Sequence, residues 1–166
     1  MIVAVGPAFG TVMTKTIGEL EHEDVLAAML TGVAKTGLIA RIVKVYHSAD
    51  CAGIGHAGAK LSGSGIAIGI QSRGTTVIHK KGFAPLHNLE LFPQSPSLTL
   101  KTYEEIGRNA ALYALGQSPA PVAVKVDNGA RLRLIVKTSL LHKREMEEVQ
   151  DKPPVEMLFN WEPEQL

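Results

Sequence analysis

Residues 61–93 read LSGSGIAIGIQSRGTTVIHKKGFAPLHNLELFP, and this stretch holds two short β-type runs on either side of a polar turn. Ile66–Ile70 and Thr75–Ile78 are rich in β-branched residues and bounded by Gly, Ser and Arg, which predicts two strands. Four glycines within twelve residues indicate a backbone that approaches something closely or adopts a positive φ: Gly63, Gly65, Gly69 and Gly74. A large flat ligand or another subunit fits that requirement.

Strand and helix signals alternate before this stretch. Ile2–Val5 is a short apolar run ended by Gly6-Pro7, which is typical of a buried strand. His22–Thr36 has apolar residues at helical spacing and is followed by Gly37, a helix-stop residue. The β-branched residues of Ile42–Tyr46 predict the next strand. Such a strand–helix–strand unit crosses over right-handed and makes its two strands parallel.

After the central stretch, Thr102 and Glu105 have the spacing of a capping box, which predicts a helix that ends at Gly116. Ser118-Pro119-Ala120-Pro121 interrupts the chain there. Leu132–Lys137 fits a strand and a helix equally well. The tail holds Met157, Leu158, Phe159 and Trp161, which we expect to pack on a neighbouring molecule or to fold back.

These signals predict a three-layer α/β domain with a central, mostly parallel (mixed) sheet of about five strands and helices on both faces. The whole chain, residues 1–166, is expected to be a single domain with a core over 1–116 and a C-terminal segment over 117–166.

Composition excludes several classes of protein. The net charge is +1 at pH 7, which argues against a dedicated nucleic-acid binder. Apolar runs fall short of the ~18 residues that span a bilayer, and the N-terminus lacks the pattern of a secretory leader. The single cysteine, Cys51, has no internal partner for a disulfide. We therefore expect a cytoplasmic protein that binds neither nucleic acid nor membrane.

Catalytic and metal motifs are also missing from the sequence. Gly63–Gly69 resembles a dinucleotide fingerprint, but its third glycine comes one residue late and a strand follows instead of a helix. The six histidines have no close paired spacing, so no metal site is predicted. A G-x-S-x-G elbow is lacking as well. We predict no catalytic residues in this chain.

The runs LSGSGIAIGIQSRGTTVIHKKG and PLHNLELFPQSP resemble the medium (β) subunit of adenosylcobalamin-dependent diol and glycerol dehydratases, and the resemblance covers most of residues 2–115. It implies a non-catalytic subunit, inactive alone, that covers one face of adenosylcobalamin. A large TIM-barrel subunit would share the cofactor and carry the substrate, the metal and the radical chemistry that turns 1,2-propanediol or glycerol into an aldehyde and water. A small subunit would complete the assembly, as a dimer of heterotrimers.

The resemblance also implies cofactor-binding residues. Arg73 stands where the family has a lysine that contacts the phosphate of cobalamin's nucleotide loop, and Asp50 matches an aspartate that binds a side amide. Four further positions match residues at the corrin or its amide side chains: Leu86, Asn88, Pro93 and Arg131. All of these except Arg131 have a structural alternative: a solvated turn for Arg73, a helix cap for Asp50, an Asx-type turn for Asn88 and loop packing for Leu86 and Pro93. The chain lacks the D-x-H-x-x-G motif of base-off cobalamin proteins, so no protein ligand to cobalt is expected.

Two other functions stay open. One is the small subunit of a dehydratase-reactivating factor, a chaperone that swaps damaged cofactor and shares this fold, and the other is a stand-alone corrinoid-binding protein. Family members often carry an N-terminal extension associated with bacterial microcompartments, whereas this chain begins almost directly at Ile2. Encapsulation therefore remains only an alternative to a free cytoplasmic location.

Overall fold

A computed structural model of the chain describes residues 1–93 and 97–162, so the end of the PLHNLELFPQSP run and the last four residues lie outside the described part. Helices and strands alternate up to β3, two more strands and a helix follow, and the C-terminal segment adds two helices and a strand. The elements are β1 (Ile2–Val5), α1 (His22–Ala34), β2 (Arg41–Lys44), α2 (Cys51–Leu61), β3 (Ile66–Ile70), β4 (Thr76–Lys80), β5 (Glu90–Phe92), α3 (Leu100–Ala114), α4 (Asn128–Arg133), α5 (Ile135–Glu147) and β6 (Val155–Met157).

The strands form one mixed sheet in the order β5-β4-β3-β1-β2-β6. Its centre is parallel, because β1 pairs with both β2 and β3, and Val3 lies opposite Ile42 on one side and Ile68 on the other. The outer strands β4, β5 and β6 are antiparallel to their neighbours. The prediction of a mixed α/β sheet is confirmed. The sheet has six strands because the C-terminal tail adds β6 beside β2.

Helices cover both faces of the sheet, as predicted. Successive side chains of a strand point to opposite faces, so Val3 and Val5 join the core beneath α1 and α3, whereas Ile2 and Ala4 join the core beneath α2. The two helices on the first face approach closely at glycines. A Cβ on Gly32 would lie 1.9 Å from the carbonyl oxygen of Glu104.

The glycines of residues 61–93 serve the fold. A Cβ on Gly69 would lie 2.4 Å from the backbone nitrogen of Gly55, so the feature that approaches this strand is helix α2. Gly65 and Gly74 have φ values of +74° and +102°, which a residue with a side chain rarely adopts. At Gly69 the expectation of a ligand or another subunit is therefore wrong.

One local prediction needs correction, and one open alternative is resolved. Helix α3 begins at Leu100 with Thr99 as its N-cap, and Thr102 is the partner within the capping box, since its hydroxyl replaces the predicted Glu105 carboxylate. Leu132–Lys137, which fitted a strand or a helix, is helical apart from the junction at Leu134.

The C-terminal segment packs on the rest of the domain. Beyond α5 the tail folds back, which is one of the two arrangements expected of it: Met157, Phe159 and Trp161 pack against the core beneath α1 and α3, whereas Leu158 is 98 % exposed. Helix α5 and the loop after it lie across the carboxyl ends of the three parallel strands. Residues of this segment contact the turn after β3, the loop after β1 and the end of β2: Thr138 bonds Arg73, Glu145 bonds Ala8 and Gln150 bonds Tyr46.

Candidate functional site

The turn between β3 and β4, residues 71–74, is bound from several directions. The Gln71 side-chain amide donates to the carbonyl of Ala49 before α2. The carbonyl of Arg73 accepts a hydrogen bond from the backbone N–H of Ile17 (3.0 Å), and the carbonyl of Gly74 accepts one from the Tyr103 hydroxyl (3.0 Å). The turn is therefore a fixed part of the domain and not a mobile hairpin tip.

Arg73 is half-buried in this turn. Its Nη1 donates to the carbonyl of Thr138 on α5 (3.4 Å), and its Nε is buried without a hydrogen-bond partner among the described residues. Burial lowers the pKa of Arg73, and the nearby carboxylates of Glu145 and Asp50 act in the opposite direction. An arginine stays protonated at neutral pH in either case. The structure thus shows a half-buried Arg73 guanidinium that α5 orients, and not the fully solvated turn side chain that was its structural alternative.

Asp50 lies near Arg73 at the carboxyl edge of the sheet. Its side chain is exposed and caps α2, because Oδ2 accepts a hydrogen bond from the backbone N–H of Gly53 (3.0 Å). The prediction of a helix cap is confirmed. His142 on α5 lies within electrostatic range of both residues: burial lowers the pKa of His142, the charge of Arg73 lowers it further, and the carboxylate of Asp50 acts in the opposite direction. Asp50, Arg73 and His142 are therefore electrostatically linked, and we call these three residues the polar cluster.

Arg131 lies on α4 between two apolar grooves. The first, of about 330 Å³, runs along β5 and is also lined by Leu91, Pro93 and Val126. The second, of about 380 Å³, is lined by residues of α4, α5 and the loop before α1, and it includes Thr138. The carbonyl of Thr138 also accepts the hydrogen bond from Arg73. The second groove therefore extends from Arg131 to a residue that contacts the polar cluster.

Leu86 and Asn88 lie elsewhere, in the loop between β4 and β5. Leu86 is 82 % exposed, and the side-chain amide of Asn88 donates to its carbonyl (3.5 Å), a local contact of the kind expected in a turn. The loop follows Lys80, whereas the turn with Arg73 precedes Thr76 at the other end of β4. At about 3.3 Å per residue, the four steps from Thr76 to Lys80 place the two ends of this strand roughly 13 Å apart. A ligand that contacts both must span that length.

The cysteine and histidines do not form a metal or thiol site in the described part of the chain. No group of three His, Cys, Asp or Glu side chains among the described residues is arranged to hold a metal ion. Burial raises the pKa of the Cys51 thiol to about 11, which leaves it protonated and unreactive at neutral pH. Within residues 1–93 and 97–162, no helix has the length and apolar character needed to cross a membrane. Of the charged groups in the polar cluster, the Arg73 guanidinium can donate hydrogen bonds to an anion, and the exposed Asp50 carboxylate can accept one from an amide.

Comparison with known proteins identifies the family. Residues 6–120 match the family described as "Dehydratase medium subunit". The chain belongs to this family. As a medium subunit, it is a component of a dehydratase complex. Membership of this family implies that the complex also has large and small subunits.

Solved structures similar to this medium subunit show the same fold. One is described as "Glycerol dehydratase reactivase", with a TM-score of 0.58 at 13 % identity over 72 % of this chain and 94 % of that chain. Another is "Structure of diol dehydratase-reactivating factor complexed with ADP and Mg2+", with a TM-score of 0.54 at 16 % identity over 71 % of this chain and 94 % of that chain. At these identities the likeness concerns the fold alone.

Sequence reasoning missed several residues around Arg73 in this medium subunit. Thr138, His142 and Glu145 all lie on α5, and His22 lies on α1. The charged, helix-prone run at Leu140–Glu148 was a signal for a helix, but a local pattern does not reveal which turn that helix contacts. A buried Glu145 within such a polar run is the one feature that departs from an ordinary surface helix.

Proposed function

We propose that this medium subunit binds adenosylcobalamin at its interface with the catalytic large subunit of a diol or glycerol dehydratase, which converts a 1,2-diol or glycerol into an aldehyde and water. The observation that carries the proposal is Arg73. Its guanidinium is half-buried, oriented by α5, and has a buried Nε without a partner among the described residues. Such a guanidinium suits a phosphate, which accepts charge-assisted hydrogen bonds in a matching geometry.

The chemistry of the other site residues fits the same cofactor. Cobalamin combines one phosphate, a ring of side amides and an apolar macrocycle. Arg73 would hold the phosphate, and the exposed carboxylate of Asp50 would accept a hydrogen bond from a side amide. The remaining residues would contact the corrin and its amides along the β5 side of the sheet: Leu86, Asn88, Pro93 and Arg131. The length between Arg73 and the Leu86 loop supports a ligand of this size.

The bound cofactor would supply the radical chemistry. In this proposal the medium subunit's own residues bind and orient the cofactor and exclude water from one of its faces, while the substrate contacts belong to the large subunit. We propose that the chain has no activity alone and that it assembles in the cytoplasm with large and small subunits as a dimer of heterotrimers. The single, buried Cys51 is consistent with a reducing compartment.

Reconstitution tests this function. The chain is purified alone and also co-expressed with cognate large and small subunits, and each preparation receives adenosylcobalamin with 1,2-propanediol or glycerol. We expect aldehyde only from the complete complex, together with cobalamin that stays bound through gel filtration. Aldehyde formation by the chain alone, or a complete and active complex that works without cobalamin, would contradict the proposal.

A second candidate is the small subunit of a reactivating factor. The likeness to a glycerol dehydratase reactivase over 94 % of that chain favours it, although the likeness is one of fold. A reactivating subunit would restore turnover to a dehydratase carrying damaged cofactor and would not be required by the fresh holoenzyme. Addition of this chain to both forms of a dehydratase therefore separates the two candidates.

A further inference from the structure

Ser72, the residue before Arg73, is completely buried, and side chains from two helices bind both of its backbone polar groups. Its N–H donates to Oε2 of Glu145 on α5 (2.9 Å). Its carbonyl lies 2.7 Å from Nε2 of His22 on α1. These partners are 73 and 50 residues away in sequence, so tertiary packing fixes the peptide on both sides.

The contacts of His22 define which of its nitrogens carries the proton. The N–H of Gly10 donates to Nδ1 (2.9 Å), so Nδ1 is the unprotonated nitrogen and Nε2 donates to the Ser72 carbonyl. The ring stacks on Phe9, with 3.8 Å between ring centroids. Burial lowers the pKa of His22 to about 4, which keeps the ring neutral and preserves this arrangement at neutral pH.

Glu145 is enclosed on the other side of the peptide. It is 1 % exposed, and besides binding Ser72 it accepts a hydrogen bond at Oε1 from the N–H of Ala8 (3.3 Å). Gly6 provides the room, since a Cβ there would lie 2.1 Å from Oε1. One carboxylate therefore connects α5 with the loop after β1 and with the turn that carries Arg73.

We infer that Glu145 and His22 are positioning residues that fix the direction of the Arg73 guanidinium by holding the Ser72 peptide. This inference rests on the proposed function, in which Arg73 binds the cofactor's phosphate. A guanidinium on a fixed backbone loses less conformational freedom when a ligand binds, and a small displacement of its base weakens its hydrogen bonds. Neither side chain needs to touch the cofactor to change its affinity.

A double-mutant cycle tests the inference on the complex reconstituted with large and small subunits. Equilibrium affinity for adenosylcobalamin is measured for the parent, Glu145→Gln, Arg73→Ala and the double variant. Glutamine keeps the shape of the side chain. However, its NH₂ group is a donor, and it would face the N–H of either Ser72 or Ala8, which is also a donor, so one of these two hydrogen bonds is lost. We expect Glu145→Gln to weaken binding by about tenfold when Arg73 is present and to have no effect when Arg73 is alanine, because residues linked through a shared backbone shift couple.

Three variants extend the cycle. His22→Gln, which keeps a donor for the Ser72 carbonyl, should retain most of the affinity, whereas His22→Leu should lose about as much as Glu145→Gln. Glu147→Gln, an exposed neighbour on α5, is the control and should change nothing. In the chain alone, amide hydrogen exchange at Ser72 should be faster in Glu145→Gln and unchanged in Glu147→Gln.

The possible outcomes separate the two ideas. If Glu145→Gln weakens binding equally with and without Arg73, or leaves both affinity and Ser72 exchange unchanged, Glu145 is not a positioning residue although the proposed function stands. If Arg73→Ala binds cobalamin as well as the parent, the proposed phosphate site fails, and this inference fails with it.

Discussion

Arg73 and Thr138 are connected across 65 residues of sequence by a hydrogen bond from the guanidinium Nη1 to the backbone carbonyl (3.4 Å). The donor lies in the turn after β3, and the acceptor lies in α5 of the C-terminal segment. Because Arg has five N–H donors, this contact orients the side chain and leaves donors for a ligand. The C-terminal helix is thus part of the site, although the family match ends at residue 120.

Replacing Arg73 tests the proposed phosphate contact. Arg73→Ala should weaken cobalamin binding by the assembled complex about tenfold to a hundredfold, since a charge-assisted hydrogen bond contributes about 1.5–3 kcal/mol. Arg73→Lys keeps the charge and should largely preserve binding. Equilibrium binding measures both. Thermal unfolding is the control, and both variants should melt within a few degrees of the parent, because the bond to Thr138 is long. Equal affinity of the parent and Arg73→Ala would remove the phosphate site.

Arg131 has a matched control on the same helix. Arg131 and Arg133 are both exposed residues of α4, but Arg131 alone of the two lines the grooves beside Pro93 and Thr138. Arg131→Ala should weaken cobalamin binding by about tenfold, whereas Arg133→Ala should leave it within about twofold. Both measurements use the reconstituted complex at a fixed salt concentration. Equal losses would indicate a general effect of charge instead of a contact.

Leu86 provides a test at the other end of the site. It is 82 % exposed on the β4–β5 loop, and Leu158, beyond β6 at the opposite edge of the sheet, is 98 % exposed. Neither leucine supports the core, so aspartate at either position should leave the melting temperature nearly unchanged. Leu86→Asp should reduce cobalamin affinity at least about tenfold, because a carboxylate buried against an apolar macrocycle loses hydration. Leu158→Asp should bind normally, and a similar loss in both variants would argue against a corrin contact at Leu86.

The sequence predicts the first half of the fold well because its signals there are local. The period of the apolar residues and the stop at Gly37 mark β1, α1 and β2, and the parallel pairing follows from the handedness of such units. The cap at Asp50 is likewise a contact over three residues. Contacts of this kind lie within one helical turn, although the cap of α3 was predicted three residues too late, since its N-cap is Thr99 and not Thr102.

The C-terminal segment depends on contacts that a local pattern does not contain. Leu132, Leu134 and Val136 follow the two-residue period of a strand, yet Leu132 and Val136 are exposed on helices, 73 % and 67 % respectively. The hydrogen bond between Glu145 and Ser72 spans 73 residues. Likewise, the separation of Leu86 from Arg73 follows from the length of β4, because the two residues lie beyond opposite ends of this strand. The candidate cofactor-binding residues therefore come from the resemblance and stay a prediction, whereas the residues that hold the turn of Arg73 could not be found from a local pattern.

Close packing of α1 against α3 makes a prediction about stability. A Cβ on Gly107 would lie 2.1 Å from the carbonyl oxygen of Met29, a backbone atom with little freedom to move. Gly107→Ala should therefore lower the free energy of unfolding by more than about 2 kcal/mol. Gly63→Ala is the control, because nothing lies within 4 Å of its Cβ position and its φ is not positive. Urea unfolding compares the two, and equal stabilities would show that the helices separate readily.

His22 gives the fold a dependence on pH whose sign follows from its burial. Burial lowers its pKa from 6.5 to about 4, so between these values the unfolded chain binds a proton that the folded chain refuses. The free energy of unfolding should consequently fall as pH decreases from 6.5 towards 4, by about 2–3 kcal/mol at pH 4.5 from this residue alone.

The buried Glu145 acts in the opposite direction, because burial raises its pKa and the folded state then keeps a proton that the unfolded chain releases. Comparison of the parent with His22→Gln separates the two effects, since Glu145 is present in both proteins. Urea unfolding at pH 7 and pH 4.5 should show the parent losing about 2–3 kcal/mol more than His22→Gln over this interval. Parallel losses in the two proteins would mean that the folded protein already protonates His22 at pH 4.5. That result would contradict the neutral ring inferred from the hydrogen bond that Gly10 donates to Nδ1.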